Sequence, residues 1–160
     1  MVIGALRRPP RERCCFEPGR HLVGDAGVLL TRVEYLKPGD ARNFAIVDAA
    51  MNDLLRPALY DAWHPVTRGA ARATEPPRRW DIVGPVCESG DFWRTTGRSR
   101  SPKATFWPSR AAGAYAMAMS SNYNARPRAC EVIVDDSNMH LGHAAASVRT
   151  NSFAGESRLP

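Results

Sequence analysis

The sequence predicts a mainly β domain, and three observations carry that prediction. Apolar and β-branched residues gather in short runs, at 28–36, 44–48, 80–86 and 129–134. Turn chemistry separates the runs, as in Lys37-Pro38-Gly39-Asp40 and Asp135-Asp136-Ser137-Asn138. The helix-like spacing of small residues and Met from Ala114 to Tyr123 is short, and no internal repeat is present.

In chain order, Phe16 to Arg20 should end a strand and open a turn, and Gly24 and Gly27 bracket a short turn or helix start. Val28 to Leu36 is β-branched and partly alternating, the mark of a strand. Phe44 to Asp48 is the next strand. Asn52 to Leu55 makes a helical turn expected to stop before Pro57, because the residue before proline is pushed out of the helical region. Residues 65–79 hold three prolines, four arginines and no apolar period, the composition of a surface loop. Trp80 to Val86 reads as a strand that places Cys87 and Glu88 at its exit. Ala114 to Tyr123 reads as a packed short helix, and Ala129 to Val134 as a strand before a turn.

At 160 residues the chain is long enough for one domain with a real core. No apolar run approaches the roughly 20 residues that span a bilayer, and Met1 to Pro10 has neither an h-region nor a cleavage site, so a cytoplasmic location is expected. Cys14, Cys15, Cys87 and Cys130 contain no CxxC pair and read as free thiols. The net charge of +6 is uneven: residues 1–13 carry +3, 93–110 carry +5 and 142–152 carry +1, leaving −3 for the rest.

Several residues could carry chemistry. Glu17-Pro18-Gly19-Arg20 fixes φ at Pro18 and frees the backbone at Gly19, so main-chain N–H groups can approach an anion; alone, Pro-Gly is usually just a turn. Arg56 and Tyr60 lie four apart, and in a tight turn both would point one way and grip a carboxylate; bare, such a pair is more often a surface contact. Cys87 beside Glu88 joins a thiol, a reasonable general acid, to a carboxylate; a lone cysteine is more often a small apolar residue. Tyr115 follows Gly113, with a core tyrosine as the plain alternative. His140-x-x-His143 has no acidic or thiol partner at ligand spacing, so no metal site is assigned.

Taken together, Glu17-Pro18-Gly19-Arg20, Cys87-Glu88-Ser89-Gly90-Asp91 and Ala112-Gly113-Ala114-Tyr115 resemble, in order and interval, the C-terminal portion of diaminopimelate decarboxylases. The resemblance runs from about Phe16 to Pro160. It implies the C-terminal β-barrel or sandwich domain of a fold-type III decarboxylase plus the last strand of its α/β barrel. Residues 1–27 would be a barrel remnant and 28–160 the β domain. It further implies pyridoxal 5'-phosphate as cofactor, meso-diaminopimelate as substrate, L-lysine and CO2 as products, and a homodimer in the complete enzyme.

By the same resemblance, Glu17, Pro18, Gly19 and Arg20 close the phosphate end of the cofactor site, and Arg20 also contacts substrate. Arg56 and Tyr60 clamp the substrate carboxylate. Cys87 returns the proton to the α-carbon from the opposite subunit, Glu88 recognises the distal ammonium group, and Tyr115 contacts cofactor phosphate and substrate. Neither lysine, Lys37 nor Lys103, resembles the cofactor lysine, which belongs to the barrel. The chain alone is therefore expected to be inactive, and to aggregate or be marginally stable.

Three stretches depart from the family: 1–13, 93–110 and 142–152. A one-base shift of reading frame turns 102–109 into a polar turn feeding an apolar strand, 12–16 into Ala-Leu-Leu-Phe and 149–153 into Asp-Glu-Leu-Phe. Compensating frameshifts are thus expected there, and an unbroken frame on resequencing rejects them. Three other readings compete, the first inside the same enzyme class. Ornithine and arginine decarboxylases show Cys-Asp-Gly where this chain has Cys87-Glu88-Ser89. A basic nucleic-acid-binding protein would use Arg94, Arg98, Arg100, Lys103 and Arg110 near Phe106 and Trp107. A non-functional remnant of the enzyme is a third reading.

Overall fold

A computed structural model describes residues 15–67, 78–99 and 106–144. Among these residues, seven strands form a five-stranded sheet of order β4-β3-β2-β1-β5 and a separate β6-β7 hairpin. The strands are β1 Leu29–Lys37, β2 Phe44–Val47, β3 Arg78–Val83, β4 Phe92–Ser99, β5 Phe106–Ser109, β6 Glu131–Asp135 and β7 Asn138–His143. All neighbours pair antiparallel except β2 and β3, which run parallel with Ala45 opposite Ile82. A parallel pair needs a long crossover, and this one carries helix α1, Arg56–Tyr60.

Alternation builds the core. Thr31 and Val33 of β1 point inward, as do Ala45 and Val47 of β2. A bulge between Val33 and Tyr35 then shifts the register, so that Leu36 faces Ala45. Trp93, Trp107, Leu54 and Ile82 fill the space between, each at most 2% exposed.

The structure corrects four sequence expectations. The helical turn expected over Asn52 to Leu55 is a turn over 51–53 that does stop before Pro57, but a separate helix not foreseen in the sequence, α1, then begins at Arg56 with buried Pro57 in its first turn, where the missing N–H costs nothing. The third strand ends at Val83, not Val86, because Gly84 N donates to Asp91 O at 3.0 Å and closes a turn. Cys87 therefore sits within that turn. Cys15 to Pro18 form no regular element, and the strand expected to end at Phe16 otherwise falls outside the described residues. Finally, within 93–110, where compensating frameshifts are expected, the residues as they stand form most of β4 and all of β5. In β5, Trp107 and Ser109 point inward and pair with Thr31 and Leu29.

Of the expected surface loop, Val66 bridges Ser109 and residues 78–79 lie in β3, while 68–77 lie outside the described residues. So do 12–14, 149–153, Cys14 and Lys103; Cys15, Cys87 and Cys130 are exposed free thiols. Of the helix expected over Ala114 to Tyr123, only Ala116–Met119 is helical, as α2; Tyr115 is left-handed, Ser120 is extended and Tyr123 opens a separate 3₁₀ turn. Among the described residues no helix is long and apolar enough to cross a membrane.

Candidate functional site

Two glycine-containing segments build the first half of the site. Pro18, with φ −66°, leads into Gly19 at φ +52°, a left-handed conformation that favours glycine, and a single 3₁₀ turn follows over Gly19–His21. A second 3₁₀ turn covers Gly24–Ala26. The 112–115 segment docks on it: Ala112 N donates to Gly27 O and Gly113 N to Gly24 O, both at 3.0 Å. A Cβ on Gly113 would collide with the Val23 carbonyl oxygen and Gly27 N, so only glycine permits this approach. The docking brings the Tyr115 hydroxyl within 3.9 Å of where a side chain at Gly19 would start. Tyr115 itself holds φ +67°, a strained state for a bulky residue, of the kind that clusters at functional sites.

Helix α1 adds the third component. Arg56 and Tyr60 lie one turn apart on the same face. The Arg56 guanidinium sits 5.4 Å from the Tyr60 ring centroid and 5.3 Å from that of Tyr115. Its Nε is buried without a hydrogen-bond partner. A desolvated donor held between two half-exposed rings is suited to an incoming anion. The structure thus brings Gly19, Arg56, Tyr60 and Tyr115 together.

His64 is buried, and its Nδ1 donates to the Arg110 carbonyl at 3.1 Å. Burial holds its pKa below the ordinary 6.5; the Arg110 bond opposes this, and the charges of Arg56 and Arg20 reinforce it. Because folding disfavours the imidazolium, the stability due to neutral His64 is complete above pH 6.5. It is lost as pH falls through the lowered folded value. Unfolding curves between about pH 8 and pH 5 should show this decline, and His64→Gln should flatten it.

The second half of the site is the turn after β3. Cys87 and Glu88 are exposed at its tip, while Asp91 at its base is 3% exposed. Asp91 Oδ1 accepts Met51 N at 2.7 Å, and Oδ2 accepts Val86 N at 2.8 Å. Its own N–H donates to Glu88 O at 3.1 Å. Burial raises the Asp91 pKa above its ordinary value, against the two backbone hydrogen bonds and the charge of Arg126. The Tyr123 hydroxyl donates to Glu88 Oε1 at 2.9 Å.

Among the described residues, no hydrogen bond, ion pair or ring contact joins Cys87 or Glu88 to Gly19, Arg56 or Tyr115. The turn that bears them nevertheless packs on α1 at its base, where a Cβ on Gly90 would lie 3.6 Å from the Ala58 Cβ. Sequence reasoning missed Asp91, Tyr123, Asn52 and Arg126. Asp91 stood inside the quoted pentapeptide, yet its partner Met51 lies 40 residues away, a distance no local pattern conveys.

The basic cluster proposed for nucleic acid lies largely outside what the structure describes, at the side chains of Arg94 and Arg98 and at residues 100 and 103. Arg110 donates its backbone N–H to Pro65 O.

The family described as "Pyridoxal-dependent decarboxylase, C-terminal sheet domain" matches residues 21–104. This chain belongs to that family. Curated relatives named diaminopimelate decarboxylase include one from Pseudomonas aeruginosa, 52% identical over 145 residues, which cover 91% of this chain and 34% of the relative. A crystal structure of diaminopimelate decarboxylase from Helicobacter pylori complexed with L-lysine is 33% identical. It has a TM-score of 0.76 and covers 86% of this chain and 34% of that one. A diaminopimelate decarboxylase structure from M. jannaschii, in co-complex with L-lysine, is 29% identical with a TM-score of 0.79, covering 89% and 32%. The mainly β architecture read from the sequence is that of the family's sheet domain in these structures. The chain spans about a third of the length of the relatives it matches.

Proposed function

We propose that this chain is the part of a diaminopimelate decarboxylase that completes a pyridoxal-phosphate site, with meso-diaminopimelate as substrate and L-lysine and CO2 as products. The observation that carries the reading is the Arg56 guanidinium, poised between Tyr60 and Tyr115 with a buried, unpartnered Nε beside the Gly19 turn.

The residues present fit the cofactor. The left-handed Gly19 leaves its backbone open, and the Tyr115 hydroxyl faces the space a side chain there would fill. Glu17, Pro18, Gly19, Arg20 and Tyr115 would hold the phosphate end. When bound, pyridoxal phosphate supplies an electron sink conjugated with the substrate α-carbon, which lets CO2 depart. The lysine that anchors it would come from the barrel, to which residues 1–27 would belong, with 28–160 as the β domain.

Arg56 and Tyr60 bind the distal carboxylate of the substrate, and Arg20 contacts it nearer the reacting centre. Glu88 pairs with the ammonium group at the distal carbon. Cys87 Sγ–H gives its proton to the α-carbon once the C–CO2 bond has broken, and the thiolate regains a proton from solvent. As the family resemblance implies, the reading assigns Cys87 and Glu88 to the cofactor site of a second protomer in a homodimer. As soluble metabolism on a small amino acid, the reaction fits a cytoplasmic enzyme.

Glutamate at position 88, where ornithine and arginine decarboxylases have aspartate, together with the Arg56–Tyr60 clamp, favours a substrate with a distal carboxylate. The test is a chimera in which this chain replaces the matching third of the Pseudomonas aeruginosa relative. Preference for meso-diaminopimelate over ornithine is expected. An assembled dimer that is inactive, or that prefers ornithine, contradicts the reading.

A further inference from the structure

Glu88 is exposed at a turn tip, and a free glutamate side chain there would sample many rotamers. One donor restrains it, the Tyr123 hydroxyl at 2.9 Å on Oε1. That bond leaves Oε2 free for a ligand.

Tyr123 is itself firmly mounted. It opens a 3₁₀ turn, Tyr123–Ala125, in which Asn124 and Ala125 both adopt positive φ. Tyr123 N donates to Ser121 Oγ, and Asn122 Nδ2 reaches Arg126 O at 2.8 Å. The loop is then tied down through Asn52, which is 1% exposed. Asn52 O accepts Ser121 N at 2.9 Å, Asn52 Nδ2 donates to Ser121 O at 3.2 Å, and Asn52 Oδ1 accepts Arg126 Nε at 3.0 Å. Arg126 Nη2 also donates to Asp48 O at 2.6 Å.

The neighbour of Asn52 completes the picture. Met51 N donates to Asp91, the brace of the Cys87-Glu88 turn. A single turn between β2 and α1 thus anchors the loop bearing Glu88 through Met51 and the loop bearing Tyr123 through Asn52.

We infer that Tyr123 is a positioning residue that holds the Glu88 carboxylate in the orientation needed to receive the substrate's distal ammonium group, and so contributes to substrate specificity. This rests on the assignment of Glu88 to that ammonium. Fixing the acceptor before binding removes an ordering cost that the substrate would otherwise bear. The mutual influence is already present in the free protein: the hydrogen bond to Glu88 and the charge of Glu88 raise the Tyr123 pKa above its ordinary value.

The test is a double-mutant cycle of Tyr123→Phe and Glu88→Gln in the chimera described above, read as KM and kcat for meso-diaminopimelate. Tyr123→Phe is expected to raise KM about tenfold, the loss of one charge-assisted hydrogen bond, with kcat within roughly twofold. In the Glu88→Gln background the same change should alter KM far less, because its effect passes through the carboxylate. Independent, additive effects overturn the inference, as does an unchanged KM in Tyr123→Phe. If Glu88→Gln alone leaves KM unchanged, the functional assignment of Glu88 fails instead. A second readout uses the same chimera with labelled glutamate carboxyl carbons. Tyr123→Phe should move the Glu88 resonance, identified by its loss in Glu88→Gln, and an unmoved resonance overturns the inference irrespective of catalysis.

Discussion

Replacing Cys87 by Ala is expected to lower kcat for meso-diaminopimelate about a thousandfold in the chimera, with KM changed little, as befits loss of a positioned general acid. The interpretation is clean because of where Cys87 sits. Its side chain is exposed and forms no disulfide. The turn that carries it is held by Asp91 and by backbone hydrogen bonds that an alanine leaves intact. The variant should therefore melt as the parent does, so that a fall in kcat reports the proton alone. Retention of kcat within about threefold would remove the proton-donor role.

The second large effect is structural. Asp91→Ala is expected to destabilise the fold by about 2 to 3 kcal/mol, the cost of stranding two partly buried backbone donors, Met51 N and Val86 N. In a domain of this size that corresponds to a melting temperature lower by up to about 9 °C. Asp91→Asn keeps one strong acceptor and should lose about half as much. The carboxylate is not an unqualified benefit, since burial raises its pKa. Its titration favours the folded state fully below the ordinary value of 3.8, and this contribution is lost as pH rises through the raised folded value. Asn at 91 should abolish that component of the acid profile. A thermal scan in which Asp91→Ala matches the parent would show that the turn needs no such brace.

Strand identity was legible where side-chain alternation meets one buried face. The runs at 28–36 and 44–48 became β1 and β2 with at most small shifts of their ends. Pro57 misled because proline ends helices and also starts them; what decides is whether its N–H would have had a partner. The run through Val86 looked like strand to its end, but Asp91 takes Val86 N for its own carboxylate and turns the chain. Phe106–Ser109 gave little pattern over four residues, and its place as the edge strand beside β1 depends on Trp107 filling the core.

The site residues were named through motif resemblance, and their grouping was not visible in the sequence. That Arg56 would lie between Tyr60 and Tyr115 follows from the docking of 112–115 on the 24–27 turn, a backbone contact between segments 85 or more residues apart. Tyr123 and Arg126 were hidden in the same way. A local clue existed in the polar run Ser121-Asn122-Tyr123-Asn124, which is poor helix and good turn, but its target, Glu88, lies 35 residues upstream.

The most direct measurement mixes two inactive chimeras, one carrying Cys87→Ala and the other Arg56→Ala with Tyr115→Phe, and assays CO2 release after subunit exchange. If the thiol from one protomer completes the arginine-tyrosine pocket of its neighbour, half the dimers are mixed and each holds one intact site. Activity should then return to about a quarter of the parent's. Mixtures that stay as inactive as their components would mean that both groups serve the same protomer's site, which contradicts the account.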